Sequence, residues 1–341
     1  MSDQELKDMG ERRIVAELLA PRYRDVIGFG DDCAVLTDDL VVTTDTCPTP
    51  LVRQLGYEDL YYAGWLLATI NLSDLAAAGA HPLGLVVNYT LPAALPVSQF
   101  ERLVDGVDDC AALHGTRVTG GDLRDGPTVH LTATAIGRCA PGGRLSRRGA
   151  REGDRLMLIG SPGWLWAAVL VHEGHASLSM DDTQTLRERA CKPQAQLKAG
   201  QLLASERLAT SAMDVSDGLY ASVRSICETN ELGALMAPDI ELDPLLMKVC
   251  SQAGLRPFSL AETWGDWSLL VTVRPEHVHR TQALLAALSI EAREIGVLTP
   301  LAEGIRRGDP QTPWNGIAQE RFSKRSWHGT TMADLLTDLL K

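Results

Sequence analysis

The sequence of 341 residues predicts an α+β fold divided into two domains. Its length fits two average domains, with one large domain as the alternative. Strand-like and helix-like segments are mixed along the chain, and the strands alternate as in antiparallel sheets, which argues against a doubly wound parallel sheet. A Gly- and Arg-rich stretch without periodicity, residues 141–154, marks the boundary, so we divide the chain into residues 1–142 and 143–341.

The first domain is predicted to contain three helices and four strands. The helices carry apolar residues at helical spacing, and Gly79 supplies a stop signal for the second one. Alternating or β-branched residues mark the strands. We predict helices over 6–20, 58–79 and 97–114, and strands within 38–45, 83–91, 116–122 and 129–137, the third strand running into a glycine turn.

The second domain is predicted to mix shorter elements. A strand follows Arg155, and a strand, a turn and a helix follow one another within 211–230. We further predict a helix over 184–208, strands over 268–273 and 293–298, and a helix between them at 276–288.

Composition and charge exclude several classes of function. Hydrophobic residues make up 45% of the chain and charged residues 22%, and the net charge of −12 argues against general nucleic-acid binding. The chain contains no apolar run of the roughly 18 residues that a membrane helix needs. Its N-terminus lacks the apolar centre of a signal peptide, and its seven scattered cysteines are typical of reduced thiols. We expect a cytoplasmic protein with no nucleic-acid or membrane partner.

Aspartates recur beside small or hydroxyl residues in five short segments. Some of these segments adjoin apolar runs, where an unpaired carboxylate costs several kcal/mol to bury. No run of Lys or Arg accompanies them, so we expect Mg²⁺ ions, which prefer oxygen ligands and leave room for phosphates. A network of turn and N-cap aspartates is the alternative. The segments carry Asp31 and Asp32; Thr43, Thr44 and Asp45; Asn71 and Asp74; Gly120, Gly121 and Asp122; and Asp214, Ser216 and Asp217.

Three further features fit a phosphate ligand. Gly120 and Gly121 would let the backbone approach a ligand closely, because glycine has no Cβ. The helix predicted after Asp214 could present its first N–H groups to a phosphate. The guanidinium of Arg147 matches phosphate geometry, although a solvated loop charge is the alternative. The P-loop and protein-kinase motifs are missing from the sequence.

Taken together, the motifs GDDCAVL, TTDT, NLSDLAAAGAHPLG, GGD, RRGAREGD and DVSDGL resemble, in order and spacing, those of bacterial thiamine-monophosphate kinases. That family belongs to the aminoimidazole ribonucleotide synthetase-like ATP-binding superfamily, and the resemblance is best over residues 27–230. The resemblance implies a homodimer of two-domain subunits, in which N-terminal strands form the dimer interface and ATP lies in a cleft.

The resemblance also implies a reaction and its residues. The γ-phosphoryl group of ATP would be transferred directly to the phosphate of thiamine monophosphate, a group that is already largely ionised at neutral pH and needs no strong base. Asp45, Asp74 and Asp217 are the candidate catalytic residues, and Gly121, Asp122, Arg147 and Ser216 would contact ATP. The implied Mg²⁺ ligands are Asp32, Thr43, Thr44, Asp45, Asp74, Asp122, Asp214 and Asp217.

The acceptor pocket departs from the family pattern. Val52 stands near the place of a His-Phe segment, Gly265 replaces an expected acidic contact, and Trp327 is the aromatic candidate near the C-terminus. These three residues are the candidate substrate contacts, although Trp264, Trp267 and Trp327 could equally belong to the core. The departures keep two alternatives open: the same chemistry on another phosphorylated or acidic acceptor, and a nucleotide-binding or ligase-like relative without this activity.

Overall fold

The structure, a computed structural model, describes residues 5–308, 311–316 and 332–340. Two sheets, each built mainly of antiparallel pairs, are packed with helices, which confirms the predicted α+β class. In the described part of the chain, the helices are too short or too polar for a membrane span.

The first sheet has five strands. Its order is β1-β2-β5-β3-β4, and every neighbouring pair is antiparallel except β3 and β4. The strands are β1 (Ala34–Val35), β2 (Leu40–Thr46), β3 (His81–Leu91), β4 (Val118–Asp125) and β5 (His130–Arg138), and the helices of this half are α1 (Glu11–Arg13, continued by a π-helix, Ile14–Leu19), α2 (Tyr61–Ala77) and α3 (Val97–Leu113), with short 3₁₀ helices at Leu6–Asp8 and Leu51–Leu55.

The second sheet has seven strands, in the order β12-β11-β8-β10-β6-β9-β7. Only the β8–β11 pair in this sheet is parallel among the described strands. Its strands are β6 (Arg155–Ile159), β7 (Ala209–Asp214), β8 (Leu232–Met236), β9 (Leu269–Val273), β10 (Ala292–Pro300), β11 (Ile305–Arg307) and β12 (Thr312–Pro313). The helices are α4 (Trp164–His172), α5 (Met180–Cys191), α6 (Leu197–Ser205), α7 (Leu219–Asn230), α8 (Pro244–Ala253), α9 (Pro257–Ala261), α10 (Val278–Ala286) and α11 (Met332–Leu339), with 3₁₀ helices at Pro275–His277 and Leu301–Glu303.

Helix α2 lies at the centre of the molecule. It is apolar on all sides and almost wholly buried, as expected for a helix with protein on every face. Its partner α3 packs very close, because Cβ atoms on Gly64 and Gly106 would come within 2.0 Å of backbone oxygens of the facing helix. Residues of α2 share one apolar core with β5 and with strands β6 and β9 of the second sheet. Helix α2 therefore packs against both sheets and joins them in one core.

Two predicted elements differ from the structure. Gly120, Gly121 and Asp122 lie inside β4 and not in a turn, because the strand continues by pairing with β3 as far as Asp125. The helix predicted over 184–208 is two helices, α5 and α6, since Pro193 lacks the N–H that a continuous helix needs.

Candidate metal and nucleotide site

Three aspartates that are distant in sequence meet where α2 approaches both sheets. Asp32 precedes β1, Asp74 lies in the last turn of α2, and Asp214 ends β7. One carboxylate oxygen from each lies within 4.8 Å of the others. The Asp32 side chain is only 5% exposed and Asp214 only 3% exposed. We call Asp32, Asp74 and Asp214 the acidic cluster.

The spacing along β2 and α2 explains how the strand supports the cluster. Alternate residues of β2 face the helix, and residues three apart on the helix face the strand. Thr43 therefore donates a hydrogen bond of 2.5 Å from Oγ1 to Oδ2 of Asp74, while the backbone N–H of Asp45 donates to Oδ1 of Asn71 at 3.2 Å. Asn71 is fully buried, and its hydrogen bond to the backbone of β2 explains why a polar residue lies in this apolar helix.

The acidic cluster carries more negative charge than its surroundings neutralise. Burial is the main cause that raises the pKa values of Asp74 and Asp214 well above the usual range, and the neighbouring carboxylates, including Asp45, raise them further. Burial also raises the pKa of Asp32, although Arg147 opposes that shift. Carboxylates held this close need protons or cations between them.

Arg147 is a basic partner of these aspartates, a role that the sequence did not assign to it because no run of Lys or Arg lies beside them along the chain. Its Nη2 donates a hydrogen bond to Oδ1 of Asp32, while its backbone N–H donates to Oδ1 of Asp31 at 3.1 Å. The buried Nε of Arg147 has no hydrogen-bond partner among the described residues. Arg144 pairs with Asp31 at 3.1 Å. The guanidinium of Arg147 therefore pairs directly with only one of the three clustered carboxylates, although its charge also opposes the raised pKa of Asp214.

Thr44 and Asp122 do not join the acidic cluster. The hydroxyl of Thr44 donates to the Ala133 carbonyl at 3.0 Å, on the exposed face of the sheet. Asp122 is on β4, with β5 and β3 between it and β2, so three strand spacings, roughly 14 Å, separate the two strands. Its side chain is 57% exposed and lies 3.9 Å from Arg124. The sequence could not foresee this division, because strand order decides it.

The remaining phosphate candidates lie at two places. Ser216 and Asp217 are half-buried in the loop after β7, where the charge of Asp217 helps to raise the pKa of Asp214. Gly121 pairs with Val87 and lines an open groove of about 500 Å³ on the exposed sheet face, together with Asp122. The candidate ATP contacts Gly121 and Asp122 are therefore separate from Ser216 and Arg147.

The structure does not support the acceptor residues as pocket walls. Val52 is 4% exposed and belongs to the apolar core of the second half. Gly265 is buried against Leu165, whose Cδ2 would lie 2.3 Å from a Cβ at this position. Trp327 lies outside the described residues. Trp264 and Trp267 are buried, at 8% and 9% exposure, as the core alternative predicted.

Two residues near the site received no role from the sequence. Ser73 donates to Oδ2 of Asp214 at 3.2 Å. Its position next to Asp74, in an otherwise apolar helix, is the sequence feature that could have indicated this role. Asp266 accepts backbone N–H bonds at the start of α4, a contact over 100 positions that no local pattern indicates.

Comparisons with known proteins place this geometry in a family. The N-terminal domain model of AIR synthase related proteins matches residues 30–139, and the C-terminal domain model matches residues 151–307. A thiamine-monophosphate kinase of Synechococcus elongatus is 30% identical over 316 residues, which cover 88% of this chain and 91% of the relative. The chain belongs to the thiamine-monophosphate kinase family.

Other members of the family agree with this assignment. The thiamine-monophosphate kinase of Escherichia coli K12 is 31% identical over 306 residues, with 85% of this chain and 90% of the relative covered. The solved structure of AaThiL complexed with AMPPCP and TMP matches the fold with a TM-score of 0.80 at 23% identity, covering 94% of this chain and all of that one. Membership in the thiamine-monophosphate kinase family confirms the resemblance seen in the motifs.

Proposed function

We propose that the protein transfers the γ-phosphoryl group of ATP to the phosphate of thiamine monophosphate, giving thiamine diphosphate and ADP. The observation that carries the proposal is the acidic cluster of Asp32, Asp74 and Asp214, within 4.8 Å of one another in a member of this kinase family. In the transfer, an oxygen of the acceptor phosphate bonds to the γ-phosphorus while the bond to the β–γ bridging oxygen breaks, and that oxygen leaves with ADP.

The donor atoms of the cluster fit Mg²⁺. Three carboxylates and the hydroxyl of Thr43 are hard oxygen donors, the type that Mg²⁺ selects, and neither sulfur nor imidazole donors belong to the acidic cluster. We propose that Asp32, Asp74 and Asp214 hold Mg²⁺, with Asp45 and Asp217 close by. Bound there, the ion would offset the repulsion between the anionic donor and acceptor.

The protein side chains hold this arrangement in place. Thr43 and Ser73 each donate to one carboxylate oxygen of the cluster, which fixes the direction of the remaining lone pairs. Arg147, at the edge of the cluster, carries a planar donor suited to a phosphate. A strong general base is not needed, because the acceptor phosphate is already largely ionised at neutral pH.

We also propose that the active form is a homodimer. The exposed face of the first sheet carries the candidate residues Thr44 and Asp122, and Val86 in β3, which is 38% exposed, lines the groove on this face. A second subunit packed on this face would cover apolar surface and bring its own residues to the groove. We further propose that the two domains divide between residues 142 and 143. We also propose a cytoplasmic location, which is supported by the seven cysteines, all of them free thiols.

The decisive experiment incubates the purified protein with Mg²⁺, ATP and thiamine monophosphate and separates the products. We expect ADP and thiamine diphosphate in equal amounts, and neither product when Mg²⁺ is chelated. ADP formation with another phosphate ester but not with thiamine monophosphate would favour the alternative acceptor. Metal-dependent ATP binding without ADP formation would favour a relative that has lost the activity.

A further inference from the structure

A strained turn lies between α9 and β9, next to the acidic cluster. Gly265 has a φ of +104° and Trp267, which has a side chain, a φ of +48°. A residue other than glycine rarely adopts this region, because its Cβ crowds the backbone, and such a conformation persists only where its surroundings hold it. The contacts of residues 265–268 show what holds it.

Asp266, between Gly265 and Trp267, binds the first turn of α4. Its carboxylate accepts the backbone N–H of Gly163 at 2.7 Å and that of Leu165 at 3.2 Å, and the backbone of Trp164 contributes a further hydrogen bond. The first N–H groups of a helix lack partners within the helix and carry partial positive charge. Asp266 therefore fastens the turn to α4 as a capping group from a distant segment.

The flanking residues pack the same turn against two helices. Gly265 lies against Leu165 of α4, with no room for a Cβ. Trp267 packs against Leu66 and Ile70 of α2, and Ile70 precedes Asp74 of the acidic cluster by one helical turn. The turn thus bridges α4 and the helix that carries one of the three clustered carboxylates.

The turn and the end of α9 together hold the loop that follows Asp214. The backbone N–H of Val215 donates to the Ser268 carbonyl at 2.8 Å, and that of Leu219 donates to the Glu262 carbonyl at 3.2 Å. These two hydrogen bonds bracket the loop at both ends. Ser216 and Asp217 lie between them. The position of this loop therefore depends on the position of the turn.

We propose that Asp266 is a positioning residue for the metal and nucleotide site. Its contact with α4 keeps the strained turn in place, and the turn keeps Asp214, Ser216 and Asp217 at their positions relative to Asp74. This inference rests on the proposed function, since it assigns the role through those residues. Asp266 itself does not belong to the acidic cluster.

The experiment compares Asp266→Ala with Asp243→Ala, a matched control. Asp243 caps α8 by accepting the Leu245 N–H at 2.8 Å, so both variants remove a helix cap and should lower the midpoint of thermal unfolding. Gly265→Ala disturbs the turn without removing the carboxylate. Mn²⁺ is titrated into each full-length protein by calorimetry at pH 8, and kcat and KM for ATP are measured where thermal unfolding shows the protein folded.

We expect Asp266→Ala and Gly265→Ala to weaken Mn²⁺ binding about tenfold and to raise KM for ATP, while Asp243→Ala binds Mn²⁺ like the wild type. Wild-type Mn²⁺ affinity in both turn variants, or an equal loss in Asp243→Ala, would overturn the inference. A wild-type protein that makes no thiamine diphosphate would refute the proposed function, whereas the Mn²⁺ comparison would still test the role of Asp266.

Discussion

The hydroxyl of Ser73 donates a hydrogen bond of 3.2 Å to Oδ2 of Asp214, joining α2 of the first half to β7 of the second. The two residues are 141 positions apart, and both are buried. Because Ser73 is the neighbour of Asp74, this bond sets two acids of the cluster relative to each other. The geometry of the candidate site therefore depends on how α2 packs against the second sheet.

Removing one clustered charge should affect activity and stability in opposite directions. Asp74→Asn leaves the site with one less anionic oxygen donor, and we expect kcat to fall on the order of 100-fold or more. The metal-free protein should become more stable, because burial and like charges raise the pKa of Asp74. Kinetics and urea unfolding in the presence of a chelator measure the two effects. Asp181→Asn, on the exposed surface of α5, is the control and should change neither.

Replacement of Arg147 tests whether its guanidinium offsets the acidic cluster. Arg147→Gln leaves Asp32 without its ion pair, so the metal-free protein should lose about 1 kcal/mol of stability, a figure reduced by the partial exposure of the arginine. Mn²⁺ should bind more tightly, since a competing positive charge has gone, while KM for ATP should rise. Calorimetry and kinetics measure both effects, and Arg148→Gln, which removes the neighbouring exposed arginine, is the control. Unchanged Mn²⁺ affinity in Arg147→Gln would show that this ion pair does not compete with a metal.

Asp122 should behave differently from the acidic cluster. It lies on the exposed sheet face, so Asp122→Asn should leave Mn²⁺ binding at the cluster unchanged and raise KM for ATP about tenfold. Asp125→Asn, at the end of the same strand, is the matched control for the loss of one exposed charge. If Asp122→Asn weakened Mn²⁺ binding in a monomeric preparation, the separation of Asp122 from the acidic cluster would be wrong.

The pH dependence of stability should reveal the buried carboxyl of Asp266. Burial raises the pKa of Asp266 from 3.8 to about 7, so the folded protein holds this proton more tightly than the unfolded chain does. The stabilising contribution is complete below pH 3.8 and is lost as the pH rises to about 7, at roughly 1 kcal/mol per pH unit. Asp266→Asn cannot titrate at this position. We therefore expect the free energy of unfolding of the wild type to fall relative to that variant between pH 5 and about 7 and then to level off. Denaturant unfolding measures the difference, and parallel pH profiles would contradict the prediction.

Much of the local structure could be predicted from the sequence alone. The periodicity of residues 58–79 indicated α2, and Gly79 indicated its end. The aspartates next to apolar runs predicted partly buried carboxylates, and in the structure Asp32, Asp74 and Asp214 lie together, with Asp32 and Asp74 partly buried and Asp214 buried. These features depend on neighbours a few positions away, so their physical cause is visible in the order of the residues. The order of the motifs was also sufficient to indicate the family.

The tertiary structure alone decided which of these residues meet. Thr44 is adjacent to Thr43 yet faces the other side of the sheet, because side chains alternate along a strand. Asp122 is kept from the acidic cluster by the two strands between β2 and β4, and Arg147 reaches Asp32 across 115 positions. Such contacts depend on strand order and on the packing of α2 between the two halves. These are global properties, set by burying one shared core, and no short segment of the sequence contains them.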